Sequence, residues 1–144
     1  EIIMGDIKAF LLPPVMEETK EVVITKRAVG EDGKPVPFVI RVIDQETNNR
    51  LIKQATRKSK MNGQLIRELD DDKYGKLLVG ACVVSPNFKD SELCAHYKVV
   101  DPLDVPGRML TVGEYNRLVR EIKKINDLVT DDEELSELDE EAKN

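Results

Sequence analysis

The clearest alternation of apolar and polar positions lies between Met109 and Ile125. Tyr115, Leu118, Val119, Ile122 and Ile125 recur at helical spacing and form one apolar stripe. Arg117, Arg120, Glu121, Lys123 and Lys124 fall mostly on the opposite side, and the basic last turn suits the helix dipole. Thr111 and Glu114 carry the Thr-x-x-Glu spacing of a capping box, in which each side chain satisfies an otherwise orphan backbone N–H. The stretch therefore reads as a well-started helix with one face to bury. Nothing on it suggests catalysis.

Upstream, the pattern changes period several times. Residues 5–12 read as a short helix, with Asp6 capping and Phe10, Leu11 and Leu12 apolar, ended by Pro13-Pro14. Lys20 to Arg27 is rich in β-branched residues and predicts a strand; Phe38 to Ile43 predicts another. The turn formers of Gly30 to Pro35 between them make a β-hairpin. Asp44 or Thr47 then caps a helix through Leu51, Ile52 and Ala55 to about Lys58, basic on one side through Lys53, Arg57, Lys58 and Lys60. Asn62-Gly63 is a turn, and Gln64 to Leu69 reads as a third, short strand.

Asp70-Asp71-Asp72 opens the next helix, with Tyr74, Leu77, Leu78, Ala81 and Cys82 apolar, and Val83-Val84 running on until Pro86 stops it. Asp90 or Ser91 starts a short helix through Leu93, Cys94 and Tyr97. Asp101-Pro102 starts another toward Leu110, with Pro106-Gly107 as a break inside it. After Asn126 the character shifts again: Leu128, Val129, Leu135 and Leu138 stand among carboxylates with no strong stop signal. The expected fold class is α+β. It comprises an N-terminal β-hairpin, with a possible third short strand, packed with a C-terminal bundle of four to five helices. The domain spans 1–130, and 131–144 is an acidic, mobile tail.

With 144 residues the chain is long enough to bury a core. Aromatics are only 4% and Trp is absent, so that core must be aliphatic. The net charge of −6 is uneven: residues 131–144 hold eight acidic groups and one lysine, a net of −7, which leaves 1–130 near neutral. No strongly charged domain surface follows from it. No apolar run approaches the ~20 residues of a membrane span, so no membrane partner is expected. A start at Glu1 suggests that residues precede it, and no secretory signal is visible. Cys82 and Cys94 read as buried free thiols, suited to a reducing compartment. His96 reads as a surface or helix-end residue.

Catalytic constellations are missing. No Ser-His-Asp set is plausible around the one histidine, and no His/Cys cluster could hold zinc. Asp70 to Gly75 imitates the start of a calcium loop, but Tyr74 and Ala81 stand where carboxylates or their equivalents are needed. No glycine loop cradles a phosphate. The basic residues Lys53 to Lys60 lack an aromatic platform, which makes a solvated face a better reading than a nucleic-acid site. The expectation is a binding protein that is not an enzyme and needs no cofactor.

Several pieces, in order, resemble the XkdN-like family of phage tail assembly chaperones. Ile7-Lys8-Ala9-Phe10-Leu11 is similar to the family's leading helix, and Val23 to Arg27 with Gly33-Lys34-Pro35-Val36-Pro37-Phe38 to its strand–turn–strand. Asp72-Lys73-Tyr74 leads to Ala81-Cys82-Val83-Val84-Ser85-Pro86, like the family's Cys-Val-Val-x-Pro helix end. Asp90 to Leu93, Tyr97 to Val99, Met109 to Tyr115 and Glu140 to Asn144 follow in the family's order. Two departures stand out. Val112 replaces a frequent proline, and Leu103 to Arg108 carries helix breakers where the family reads as continuous helix.

The resemblance implies a chaperone of the host bacterial cytoplasm, absent from the mature virion, that binds the tape measure protein and helps recruit tail tube protein subunits. It leaves a homo-oligomer open and implies no nucleic acid. Candidate partner-binding residues are Leu128, Val129, Leu135 and Leu138 with Glu133 and Glu134; Thr111 and Glu114 are structural caps. Ala142-Lys143-Asn144 can be encoded GCA-AAA-AAU, which contains a slippery run for the programmed frameshift common in such systems. A structural component of the phage tail, or a small regulatory or nucleic-acid-binding module using Lys53 to Lys60, are the alternatives.

Overall fold

A computed structural model of the chain describes residues 6–128. The three-stranded sheet has β1 (Thr19–Val22), β2 (Phe38–Arg41) and β5 (Val83–Ser85) in the order β1-β2-β5, both pairings antiparallel. β2 lies in the middle, and its alternation sends Phe38 and Ile40 into the core while Val39 and Arg41 are half-buried. The hairpin expected from the sequence is present, with β1 and β2 paired from Thr19 opposite Arg41 to Val22 opposite Phe38. Its first strand is shorter than expected. After Val22 the chain leaves the ladder, and Ile24 and Thr25 are buried against a helix instead.

The other strands are where the structure corrects the pattern. Helix α1 (Gln45–Ala55), capped by Asp44, ends three residues before Lys58. Thr56 ends it: its hydroxyl donates to the Ile52 carbonyl at 2.6 Å and its backbone N–H turns to Lys53. Residues Thr56–Met61 then form β3, paired over six positions with β4 (Gln64–Leu69). So Arg57, Lys58 and Lys60 stand on a strand and only Lys53 on the helix. The third short strand exists, but it belongs to a separate two-stranded sheet. Asn62 and Gly63 both take positive φ (54° and 78°), which suits the tight right-handed twist of a two-residue hairpin turn.

Helix α2 (Asp71–Cys82) starts as expected, with Asp70 accepting the Lys73 N–H at 3.1 Å. It stops at Cys82 rather than at Pro86. Val83 to Ser85 leave it to pair with Val39 and Ile40 on the open side of β2, a contact local patterning could not register. Helix α3 (Ser91–Tyr97) is capped by Asp90, and a 3-10 turn (Pro102–Asp104) leads into the short α4 (Val105–Met109). The helices are therefore not one C-terminal bundle: α1 and α2 are threaded between strands β2 and β5. The α+β class stands.

Helix α5 (Val112–Ile125) closes the core, burying Leu118 and Ile122 completely. Each such side chain contributes about 1.5–3 kcal/mol of hydrophobic stabilisation. They meet Ile24, Phe38, Ile40, Leu78, Val79, Cys82 and Val105, an aliphatic core with Phe38 and Phe88 edge-on at 6.4 Å. Three polar contacts run antiparallel along α5 and residues 20–27. Arg27 forks onto Glu114, Arg117 donates to the Ile24 carbonyl at 2.8 Å, and Lys20 reaches Glu121 at 3.5 Å. Asn126 fastens the far end, accepting the Ile43 N–H at 2.9 Å and donating to the Ile122 carbonyl at 2.9 Å. Asp127 (φ 54°) turns the chain so that the Leu128 N–H reaches the Lys123 carbonyl at 2.8 Å, a Schellman-type stop.

Candidate functional site

The junction between α4 and α5 is built by helix breakers and caps. Asp101 accepts the Leu103 N–H at 3.0 Å with Pro102 in the first turn, and Val105 and Pro106 anchor α4 in the interior. Leu110 is extended (φ −102°, ψ 148°), and Thr111 restarts the chain as α5. The capping box is complete: the Glu114 N–H donates to Thr111 Oγ1 at 3.2 Å, and the Thr111 N–H donates to Glu114 Oε1 at 3.0 Å. The same carboxylate receives Arg27 Nη2 at 2.5 Å and Nε at 3.2 Å, while Nη2 also donates to the Met109 carbonyl at 2.9 Å. The Arg27 bonds, then the Thr111 N–H and the Thr25 hydroxyl, hold the Glu114 carboxyl well below the usual carboxylate range. Arg27 thus ties the hairpin to both α4 and α5.

Two grooves flank this junction. The larger, of about 520 Å³, has Leu103, Gly107, Leu110, Val112 and Tyr115 along it, with Lys76, Asp104 and Arg108 at its edge. Lys76 Nζ and Asp104 Oδ1 are 3.1 Å apart, and that bond raises the Lys76 pKa. Burial raises the Tyr115 phenol. Val112 stands on the lip, 81% exposed. The smaller groove, of about 330 Å³, runs past Val36, Pro37, Pro86, Leu93, Tyr97 and Met109 on the other side of the Arg27 fork.

Both grooves are open and mostly apolar, with charge at the edges, the form that receives the apolar face of a partner helix. Among the described residues no group of three or more His, Cys, Asp or Glu is placed to hold a metal. None of the described helices is long and apolar enough to cross a membrane. Cys82 is fully buried, and burial pushes its thiol up to about 11; Cys94 is half-buried, its thiol donating to the Phe88 carbonyl at 3.2 Å. His96 is exposed in the last turn of α3.

Of the residues expected to bind a partner, Leu128 lies just past α5 and is 42% exposed. Val129, Glu133, Glu134, Leu135 and Leu138 lie outside the described residues. Thr111 and Glu114 are brought together as expected, and the structure adds Arg27, 87 positions from Glu114. Leu103, Leu110 and Val112 were not singled out for binding by sequence reasoning. The available signal was the Pro106-Gly107 break, which implies a corner where two short segments expose a seam. Further apolar exposure lies at Ile7, Phe10, Leu11 and Leu12, each at least 70% exposed.

The family model described as phage XkdN-like tail assembly chaperone protein matches residues 7–143. The uncharacterized protein YqbN of Bacillus subtilis (strain 168) is 35% identical over 140 residues, covering 94% of this chain and 92% of that protein. The phage-like element PBSX protein XkdN of the same organism is 31% identical over 140 residues, covering 94% and 93%. The crystal structure of the protein YqbN superposes with a TM-score of 0.66 at 33% identity, over 76% of this chain and 85% of that one. With a family match that spans both the sheet and the α4–α5 junction, this chain belongs to the XkdN-like family of phage tail assembly chaperones.

Proposed function

We propose that this chaperone binds the tape measure protein of its own phage or prophage, and that it does so through the groove between α4 and α5. The family match over residues 7–143 carries the reading, and the apolar groove supports the location. A tape measure protein is a long helical chain whose apolar faces must stay apart until the tube forms around it. A groove lined by Leu103, Leu110, Val112 and Tyr115 shields such a face reversibly, with Lys76, Asp104 and Arg108 selecting polar neighbours at the rim. Leu128, just past the other end of α5, and Val129, Leu135 and Leu138, with Glu133 and Glu134 among them in the sequence, are a second candidate contact for the same partner. Binding of this kind needs neither nucleotide nor metal.

In the same reading the bound chaperone brings tail tube subunits to the growing tube, acts in the host cytoplasm, and leaves before the particle is finished. The slippery codons possible at Ala142–Asn144 belong to it too, and the nucleotide sequence of the gene tests them. The central experiment is co-expression with the neighbouring tape measure protein followed by affinity capture. The expected result is a soluble complex that the chaperone alone makes soluble. A tape measure protein equally soluble without it, with nothing co-purifying, overturns the proposal. The chaperone's presence in stoichiometric amount in purified particles overturns the departure step.

A further inference from the structure

The β3–β4 hairpin stands on the chain as an arm. Every residue from Arg57 to Leu69 is exposed, and its base is tied to the body by the Asp70 N–H to the Ala55 carbonyl at 2.8 Å. Side chains alternate between faces, and the pairing register sorts them. One face carries Lys58, Lys60 and Arg67 together with Leu65 and Leu69. The other carries Arg57 opposite Glu68, a balanced pair. On the first face Lys58 sits directly opposite Arg67, and like charges so placed destabilise a hairpin. Among the described residues none of these three cations is in an ion pair. A lone two-stranded ribbon is at best marginal in water, and this one also carries unrelieved repulsion and two exposed leucines (55% and 41%).

We propose that this cationic face is the docking site of the chain's own acidic segment, residues 131–144. The chemistry is complementary: a net of −7, with Leu135 and Leu138 set among the carboxylates, against three cations with Leu65 and Leu69 among them. The reach is ample. Asn126 is bonded to Ile43, at the start of α1, and the hairpin leaves the other end of that helix, an 11-residue span of roughly 16 Å. Residues 129–144 extended cover up to about 50 Å. Docking relieves the Lys58–Arg67 repulsion and covers leucines on both partners. The segment thus holds the arm ordered in the free chain and leaves it when a competing partner takes the leucines.

The test is by nuclear magnetic resonance on the full chain. Replacing Glu133, Glu134, Glu137 and Glu140 by Gln is expected to shift the backbone amides of residues 56–69 while those of β1 and β2 stay in place. Raising the salt from 50 to 500 mM is expected to move the unaltered chain the same way, because exposed charge pairs are screened. Reversing the cations with K58E, K60E and R67E is expected to shift the amides of residues 131–144. Neutralised carboxylates that leave residues 56–69 unmoved overturn the proposal, whatever becomes of the hairpin variant. So does a shift that grows with protein concentration and transfers between labelled and unlabelled copies, since it places the segment on a second copy.

Discussion

Asn126→Ala tests the lock at the end of α5 more sharply than any change in the apolar stripe. The Asn126 amide accepts the Ile43 N–H at 2.9 Å and donates to the Ile122 carbonyl at 2.9 Å, with the Arg41 carbonyl at 3.4 Å and Cys82 Sγ at 3.7 Å also within reach. Alanine strips all of these and leaves the Ile43 N–H without a partner. An unsatisfied buried donor costs about 1–3 kcal/mol. The site is half-buried, and water recovers part of that, so a loss of about 1–2 kcal/mol is expected. Helix propensity predicts the opposite sign, because alanine is the better helix former and position 126 needs no left-handed backbone (φ −95°). Urea unfolding followed by circular dichroism reads the answer as a lower midpoint at an unchanged slope. A midpoint shift equivalent to less than about 0.5 kcal/mol, the range of ordinary surface substitutions, refutes the lock.

Three other outcomes follow from the geometry. Glu114→Gln removes a carboxylate whose pKa is lowered in the fold, so the stability it adds is present above its unfolded pKa and lost as the pH falls through the folded value. The variant's acid unfolding is expected to begin less steeply below about pH 4.5, measured by circular dichroism. Cys82, raised from 9.0 to about 11, works on the alkaline side: stability falls as the pH rises from 9 toward 11, by up to about 2.7 kcal/mol, and Cys82→Ala removes that slope while opening a small cavity. Val112→Asp places a carboxylate on the groove lip at the first position of α5, where the dipole favours it, so the melting temperature is expected to hold or rise slightly while affinity for the proposed partner, the tape measure protein, drops at least tenfold.

What could be read along the chain was whatever carries its own local signal. The capping box at Thr111 and Glu114, the aspartate caps at 44, 70 and 90, and the Asn62-Gly63 turn each satisfy backbone groups within a few residues. The misses share one cause. Thr56 to Met61 is rich in lysine and arginine, good helix formers, and becomes a strand because β4 follows across a tight turn. Val83 to Ser85 extends a helical run without any breaker and becomes a strand only because β2 offers an open edge, over 40 residues away. The Arg27 fork and the groove beside it likewise unite positions that no window along the chain brings together.

The antiparallel seam between residues 20–27 and α5 also sets a timetable. During synthesis the hairpin is complete about eighty residues before the helix that covers it, and at 5–20 residues per second that interval is roughly 4–16 s. Throughout it Ile24, Phe38 and Ile40 lack their eventual neighbours Leu118 and Ile122. The nascent chain therefore exposes apolar surface until α5 has been made. Termination before the codon for Ile122 releases a chain with an open core, so it is expected to yield aggregate rather than a shortened but working chaperone.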